Sequence, residues 1–416
     1  MLIASPLYSA LLCVGLLDDL HDIIINKGPA VLVSLDVSAA FDSLSHDILL
    51  QRLESDFGVV GLANQWFRSY LASRTMSVSI DQNVSSVTSC RSGVPQGSVL
   101  GPVLFLLYVS PVARVLAPFN VRHHVYADDL SIISAFSTNV NSLLGIEKAT
   151  SAVRDWYRSN GLLLNPGKSE ALVVGTGPQL RNLDKPISIT VAGISLTCKE
   201  TVTLLGVQLA SSLSMDQFVS SKVRSSNYHL RALRKIRPAL SRQVAESVGR
   251  AIILSRLDYC NALLAGAASG GLNALQRVQN QVARSVVGAP RRSHAQPILS
   301  SLHWLPVRQR ISYKLAVTVF MALRDRQPAY LASRLELRRS QRVLRSSDDV
   351  SALAVPRTKT KFAERKFAVA APMVWNLIPV AIRNCDTLYS FKKQLKTWLF
   401  EEAFLTLEGM SSMPSI

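Results

Sequence analysis

The sequence predicts an α+β fold whose first half is built on a largely antiparallel sheet and whose second half is helical. Three observations lead there. Through residue 130 the pattern runs strand, helix, hairpin, helix, hairpin, the order of an α+β domain. From residue 215 onward helical spacing dominates, with Arg and Lys on the polar faces. Charge divides the chain at the same place. Residues 1–214 hold 14 Lys/Arg against 16 Asp/Glu, whereas residues 215–416 hold 32 against 12.

Each element has its own signal. "AVLVSLDV" (30–37) is a β-branched, apolar strand ending on Asp36. In the segment that follows, apolar residues at 44, 48, 49 and 53 have helical spacing, with Ser43 or Ser45 as N-cap and Gly58 past the end. "MSVSIDQNVSSVTSCRSG" (76–93) alternates around "DQN" and reads as a hairpin. "GSVLGPVLFLLYVSPVARVL" (97–116) reads as a buried helix opening after "GVPQ". "VRHHVYADDLSII" (121–133) has two β-prone arms around a pair of acids, so Asp128-Asp129 should lie near a hairpin turn. An amphipathic helix over 141–162 stops at Asn160-Gly161, and "EALVVG" and "VTLLGVQL" supply further strands. In the second half, "FVSSKVRSSNYHLRALRKI" and "LNALQRVQNQVARSVVG" are basic amphipathic helices. The Ser-rich stretch 338–361 reads as a linker or loop, and "FAVAAPMVWNLIPVAIR" returns to helix.

Several classes fall away. The apolar N-terminus lacks a basic start and meets Asp18-Asp19 too early for a ~20-residue span, so it is expected to be a helix of a soluble domain. The five cysteines are more than 60 residues apart, which excludes C-x-x-C zinc spacing and argues for reduced thiols inside a cell. "GLLLNPGKS" is one position out of register for a phosphate-binding Walker loop, since residue 162 is Leu. His123-His124 have no partner ligands nearby in sequence and are expected to be strand residues. Trp304 and Trp375 sit in apolar segments and are expected in the core rather than stacked on bases. A net charge of +18, concentrated in the second half, is the footprint of a polyanion binder.

The acids carry the chemistry. An unpaired carboxylate buried in a strand costs several kcal/mol, on the order of what a single domain can ill spare. If the strands ending at Asp36 and Asp128 are neighbours, both carboxylates leave the same sheet edge and repel one another unless a cation lies between them. Hard oxygen ligands suit Mg²⁺. Two such ions about 3.5–4 Å apart form the clamp used for in-line phosphoryl transfer. A lone Asp at a turn also serves as an Asx-turn or cap, which remains open for Asp36.

"LDVSAAFDSLSHDILLQRL", "SGVPQGSVLGPVLFLLYVSPV", "VYADDLSII", "GLLLNPGKSEALVVG" and "LLGVQLASSL" resemble the successive core motifs of reverse transcriptases, in family order and at family spacing. "AAFD" and "GVPQGSVLGPVLF" point to non-LTR, LINE-type (jockey-like) retrotransposons. The basic half also resembles the C-terminal part of such polyproteins. The resemblance implies a right-hand polymerase: a palm with a remnant of fingers over 1–212, a helical thumb over 213–290 and a basic, mostly helical C-terminal region over 291–416. It implies an RNA-directed DNA polymerase that uses Mg²⁺ or Mn²⁺, an RNA template, a DNA primer and dNTPs, and works in the nucleus or cytoplasm without a membrane.

The same resemblance assigns Asp36, Asp128 and Asp129 as catalytic metal ligands, with Asp129 contributing less directly because adjacent strand residues point to opposite faces. Phe41 matches the gate that crowds a 2′-hydroxyl, with core packing as the alternative. Gln96 and Gly97 match the loop that approaches nucleotide and template, and Lys168 matches a lysine that steadies the triphosphate. Only 35 residues precede Asp36, and Lys27 is their sole basic residue, so a 5′-truncated copy is expected. The rival expectation is a silent relic that binds RNA or DNA through its basic half.

Overall fold

The computed structural model describes residues 6–136, 141–183, 186–338 and 351–404. Residues 339–350 of the expected linker at 338–361 therefore lie outside the described residues. By contact the chain divides into two units. Among the described residues, one is built from 6–8 and 26–202; the other combines 9–25 with those from 203 onward. Helix α1 (Pro6–Asn26) thus lends most of its length to the second unit, although it comes first in sequence.

The first unit is organised on a four-stranded sheet. Strands β1 (Ala30–Leu35), β2 (Arg122–Tyr126), β3 (Asp129–Ala135) and β4 (Glu170–Val174) lie in the order β4-β1-β3-β2, all antiparallel. Val31, Val33 and Leu35 of β1 face the same way as Leu130 and Ile132 of β3 and Ala171 and Val173 of β4. That face packs into one apolar cluster with Leu49, Leu104, Phe105, Ile146 and Val153. Ala30 and Leu32, on the opposite face, are buried as well. Burial on both faces explains why β1 reads as a continuous apolar run rather than an alternating one.

Helices α2 (His46–Ser55), α3 (Gly61–Leu71), α4 (Gly101–Val109) and α5 (Asn141–Ser159) complete the unit. Ser45 is the N-cap of α2, its Oγ accepting from the Ile48 amide at 3.5 Å. Ser43 instead donates to the Ala39 carbonyl. The helix expected over 97–116 begins only at Gly101, and a second short helix (Val112–Leu116) follows it. Pro111, which cannot donate a backbone hydrogen, is the N-cap of that second helix. The expected hairpin around "DQN" forms between Ser79–Ile80 and Asn83–Val84 and is exposed along its length. Arg52 of α2 bolts three helices together. It donates to the Tyr108 carbonyl of α4 and, at 2.6 Å, to Asn160 Oδ1 just past α5, with its guanidinium over the Tyr108 and Trp156 rings.

The second unit is helical. Its long members are α1, α6 (Asp216–Ile236), α7 (Ser269–Val287), α8 (Val307–Asp325), α9 (Phe367–Leu377) and α10 (Leu388–Phe404). Trp304 and Trp375 are buried in it, as expected of core residues. Three acids of α1 are tied to residues more than 300 positions away. Asp18 accepts from the Ala368 amide at 3.1 Å and meets Arg334 at 3.3 Å, Asp19 pairs with Arg334, and Asp22 pairs with Lys366 at 2.6 Å. No helix among the described residues is long and apolar enough to cross a membrane.

His21, also on α1, is buried, and its Nδ1 lies 2.7 Å from the Leu17 carbonyl. Burial first, then the positive charges of Arg365 and Lys366, push its pKa down to about 4. The unfolded chain therefore takes up this proton before the folded one does. The corresponding stability is fully present above pH 6.5 and is lost as pH falls from 6.5 toward 4. Between pH 7 and pH 5 the loss from this group should be about 2 kcal/mol. Asp18, raised by burial, works in the opposite sense. The quantity to read is thus the difference between wild type and His21→Phe in urea midpoints across that window. A difference that does not change with pH would mean that His21 does not titrate there.

Candidate active site

The strand register decides where the acids go. Leu35 of β1 pairs with Leu130 of β3, so the next step along both strands sets Asp36 against Asp129. On the other side of β3, Tyr126 pairs with Asp129, and Ala127-Asp128 form a two-residue turn. Ala127 takes a positive φ of 50°, which a tight hairpin of this length requires. Asp36, Asp128 and Asp129 therefore converge at one end of the sheet. Asp128 lies in the turn rather than in the strand, so strand alternation does not separate it from Asp129.

The electrostatics report the same meeting. Burial, then the negative charge of Asp128, then that of Asp36, pushes the Asp129 carboxyl up to about 6. Tyr157 of α5 is buried, and its phenol is raised first by burial and then by the charge of Asp128. None of the three aspartates makes an ion pair among the described residues, and no group of three or more His, Cys, Asp or Glu stands ready-made to hold a metal ion. Mg²⁺ is ordinarily held by one or two carboxylates plus substrate phosphates rather than by an all-protein cage. A converging set of uncompensated carboxylates fits that mode of binding.

The loop carrying Lys168 is fastened to Asp36. The Asn165 amide donates to the Asp36 carbonyl at 2.8 Å, and the Asp36 amide donates to Ser169 Oγ at 3.4 Å. Lys168 is exposed on this loop, with its amide on the Asn165 carbonyl at 3.2 Å. Asn165, Ser169 and Tyr157 were not singled out by the sequence. Asn165 acts through its backbone amide and Ser169 through its side-chain hydroxyl, both on the Asp36 backbone, in hydrogen bonds that no local pattern announces, and Tyr157 reads simply as an apolar helix position.

A second knot of loops holds Phe41, Gln96 and Gly97. The Gly93 amide donates to the Leu44 carbonyl at 2.7 Å, and the Val94 amide donates to the Phe41 carbonyl at 2.9 Å. Gln96 reaches both Asp42 carboxylate oxygens at 3.3 Å. At Gly93 a Cβ would lie 2.9 Å from the backbone of Phe41 and Asp42, so no side chain fits between these segments. Gly97 has φ +80° with open space around it, so there glycine answers to conformation alone. Phe41 is half-buried, its ring 4.9 Å from that of Phe105. No hydrogen bond among the described residues joins this knot directly to the acids.

Residues 6–209 match the family model described as reverse transcriptase (RNA-dependent DNA polymerase). Those residues are a reverse-transcriptase domain. All seven site residues named above lie within it. The RNA-directed DNA polymerase from mobile element jockey of Drosophila funebris is 27% identical over 271 residues, covering 62% of this chain and 28% of that protein. The probable RNA-directed DNA polymerase from transposon BS of Drosophila melanogaster is 24% identical, covering 67% of this chain and 31% of its own length. The chain thus spans about three-tenths of the length of these relatives. Among solved structures, a telomerase from Candida tropicalis with a TWJ fragment of telomeric RNA aligns over 93% of this chain and 52% of its own, at 10% identity and a TM-score of 0.40. The reverse-transcriptase domain extends through β1–β4, and the basic second half continues beyond it.

Proposed function

We propose that the chain works as an RNA-directed DNA polymerase in the replication of a non-LTR retrotransposon, joining dNTPs to a primer 3′-hydroxyl on an RNA template. One observation carries the reading: three carboxylates converge at one end of an antiparallel sheet inside a reverse-transcriptase domain, without a counter-charge of their own. In this reading the sheet is the palm of a right hand, α6 opens a helical thumb over 213–290, a basic region follows over 291–416, and the basic half 215–416 as a whole grips nucleic acid. Its work lies inside the cell, in the nucleus or cytoplasm.

Asp36 and Asp128, with Asp129 beside them, would hold Mg²⁺ or Mn²⁺. Such ions, when bound, supply charge that favours the ionised 3′-hydroxyl and the departing pyrophosphate. The remaining parts are the chain's own. The Asn165–Ser169 loop holds the backbone of Asp36 from both its amide and its carbonyl, which keeps the carboxylate at the sheet edge. Lys168, exposed on that loop, places a cation where a triphosphate can be steadied. Gly97 lets the loop backbone come close to a base pair, and Gln96 is held in place by Asp42.

Primer extension on poly(rA)/oligo(dT) with Mg²⁺ or Mn²⁺ and dTTP tests the proposal. Incorporation that needs the divalent ion and the RNA template is the expected result. No incorporation with either ion would overturn it. Phe41 gives a finer test, because its ring is wedged against Phe105 and only half-buried. Phe41→Ala should raise ribonucleotide incorporation relative to deoxynucleotide. An unchanged ratio in a folded variant would leave Phe41 as a core residue.

A further inference from the structure

Helix α3 carries an aromatic group that the polymerase reading leaves unused. Trp66 is 54% exposed, and its ring stacks on that of Tyr70 at 5.4 Å and 10°. Phe67 meets Trp66 edge-on at 5.1 Å. One turn further along, the Arg74 guanidinium lies 4.3 Å from the Tyr70 ring centroid and donates to the Tyr70 carbonyl at 2.6 Å. Phe67 and Tyr70 pack against the apolar cluster of the first unit, whereas Trp66 does not. The outermost ring is therefore held by anchored neighbours and presents its own surface to solvent. The other tryptophans for which exposure is described are buried or half-buried.

Such a surface could cover a protein partner or receive a nucleobase. Two features favour the base. Stacked, rigid and cation-backed aromatics match the faces of bases, which any sequence offers. The local charge is also complementary to phosphate. Residues 60–92 hold Arg68, Arg74 and Arg91 against Asp81 alone, within a first half that is otherwise slightly acidic. Arg68 and Arg91 are exposed, and Ser69, Ser73 and Thr75 add exposed hydroxyls to the same short stretch.

We infer that Trp66, Tyr70 and Arg74 form a stacking platform for single-stranded nucleic acid, an unpaired stretch of the strand that the polymerase handles. The inference rests on the polymerase reading for the identity of its ligand. Trp66 takes the base on its open face, Tyr70 fixes the indole plane, and Arg74 braces Tyr70 and adds positive charge. It is a site for recognition and plays no part in bond formation.

The test uses the full chain, a 12-nucleotide oligo(U) and tryptophan fluorescence. Binding should quench emission in the wild type, and the quenched component should be missing in Trp66→Phe. Trp66→Ala should weaken oligo(U) binding roughly 5- to 100-fold, the range found when one base-stacking aromatic is removed. Trp66→Phe, which keeps a ring, should recover part of that loss. Trp66→Ala should leave the thermal midpoint near that of the parent, since the ring is outside the core. Unchanged affinity in Trp66→Ala overturns the platform. So does unchanged affinity accompanied by a new oligomeric state, which would assign the surface to a protein. Failure of the polymerase reading has a different signature: no primer extension, with Trp66 quenching by oligo(U) still present.

Discussion

Asp128→Asn should abolish primer extension while leaving affinity for primer–template nearly intact. The substitution keeps the shape of the side chain and suits the two-residue turn, because Asn is at home in tight hairpins. The sheet pairing on either side, from Tyr126↔Asp129 to Leu35↔Leu130, does not use the Asp128 side chain. What changes is the charge offered to divalent ions at the sheet end. Losing one anionic ligand of a two-ion site removes several kcal/mol of transition-state stabilisation, on the order of a thousandfold in rate. Activity within tenfold of the parent would remove Asp128 from the site. Duplex binding should remain, since the basic second half holds 32 Lys/Arg against 12 Asp/Glu.

The largest effect on stability is expected at Asp18, far from that chemistry. Its carboxylate is 1% exposed, accepts from the Ala368 amide and lies 3.3 Å from Arg334 Nε. Asp18→Ala leaves the Ala368 amide, at the start of α9, without its acceptor and leaves Arg334 with Asp19 alone. Breaking a buried charge pair from one side costs about 3–5 kcal/mol; the surviving Asp19 contact should hold the loss to about 2–4 kcal/mol. Asp22→Ala, which removes a carboxylate more exposed than that of Asp18, should cost less. Urea unfolding of the two variants gives the comparison. A loss below about 1 kcal/mol for Asp18→Ala would show that the Asp18 contacts do not help to hold α1.

Asp36, Asp128 and Asp129 are legible because an acid in an apolar, β-branched run conflicts with its surroundings, and that conflict is local. The hairpin is legible in residues 121–133, and the near-continuous apolar pattern of β1 in residues 30–35. Helix α1 was also legible as a helix, since its length and acids argue against a membrane span.

Its partners were not. Nothing near Asp18, Asp19 or Asp22 names Arg334 or Lys366, because those pairs form only when a chain of 416 residues brings distant segments together. The clamp of Asn165 and Ser169 likewise acts on the backbone amide and carbonyl of Asp36, groups that carry no sequence signal. Tryptophan shows the limit most plainly. Trp66, between Gln65 and Phe67, and Trp304, between His303 and Leu305, each have one polar and one apolar neighbour in sequence, yet one is 54% exposed and the other 2%. Local pattern determined which segments are strands and helices and which acids are out of place. Only tertiary packing decided which side chains meet and which remain open to a ligand, because burial depends on neighbours that the local sequence does not contain.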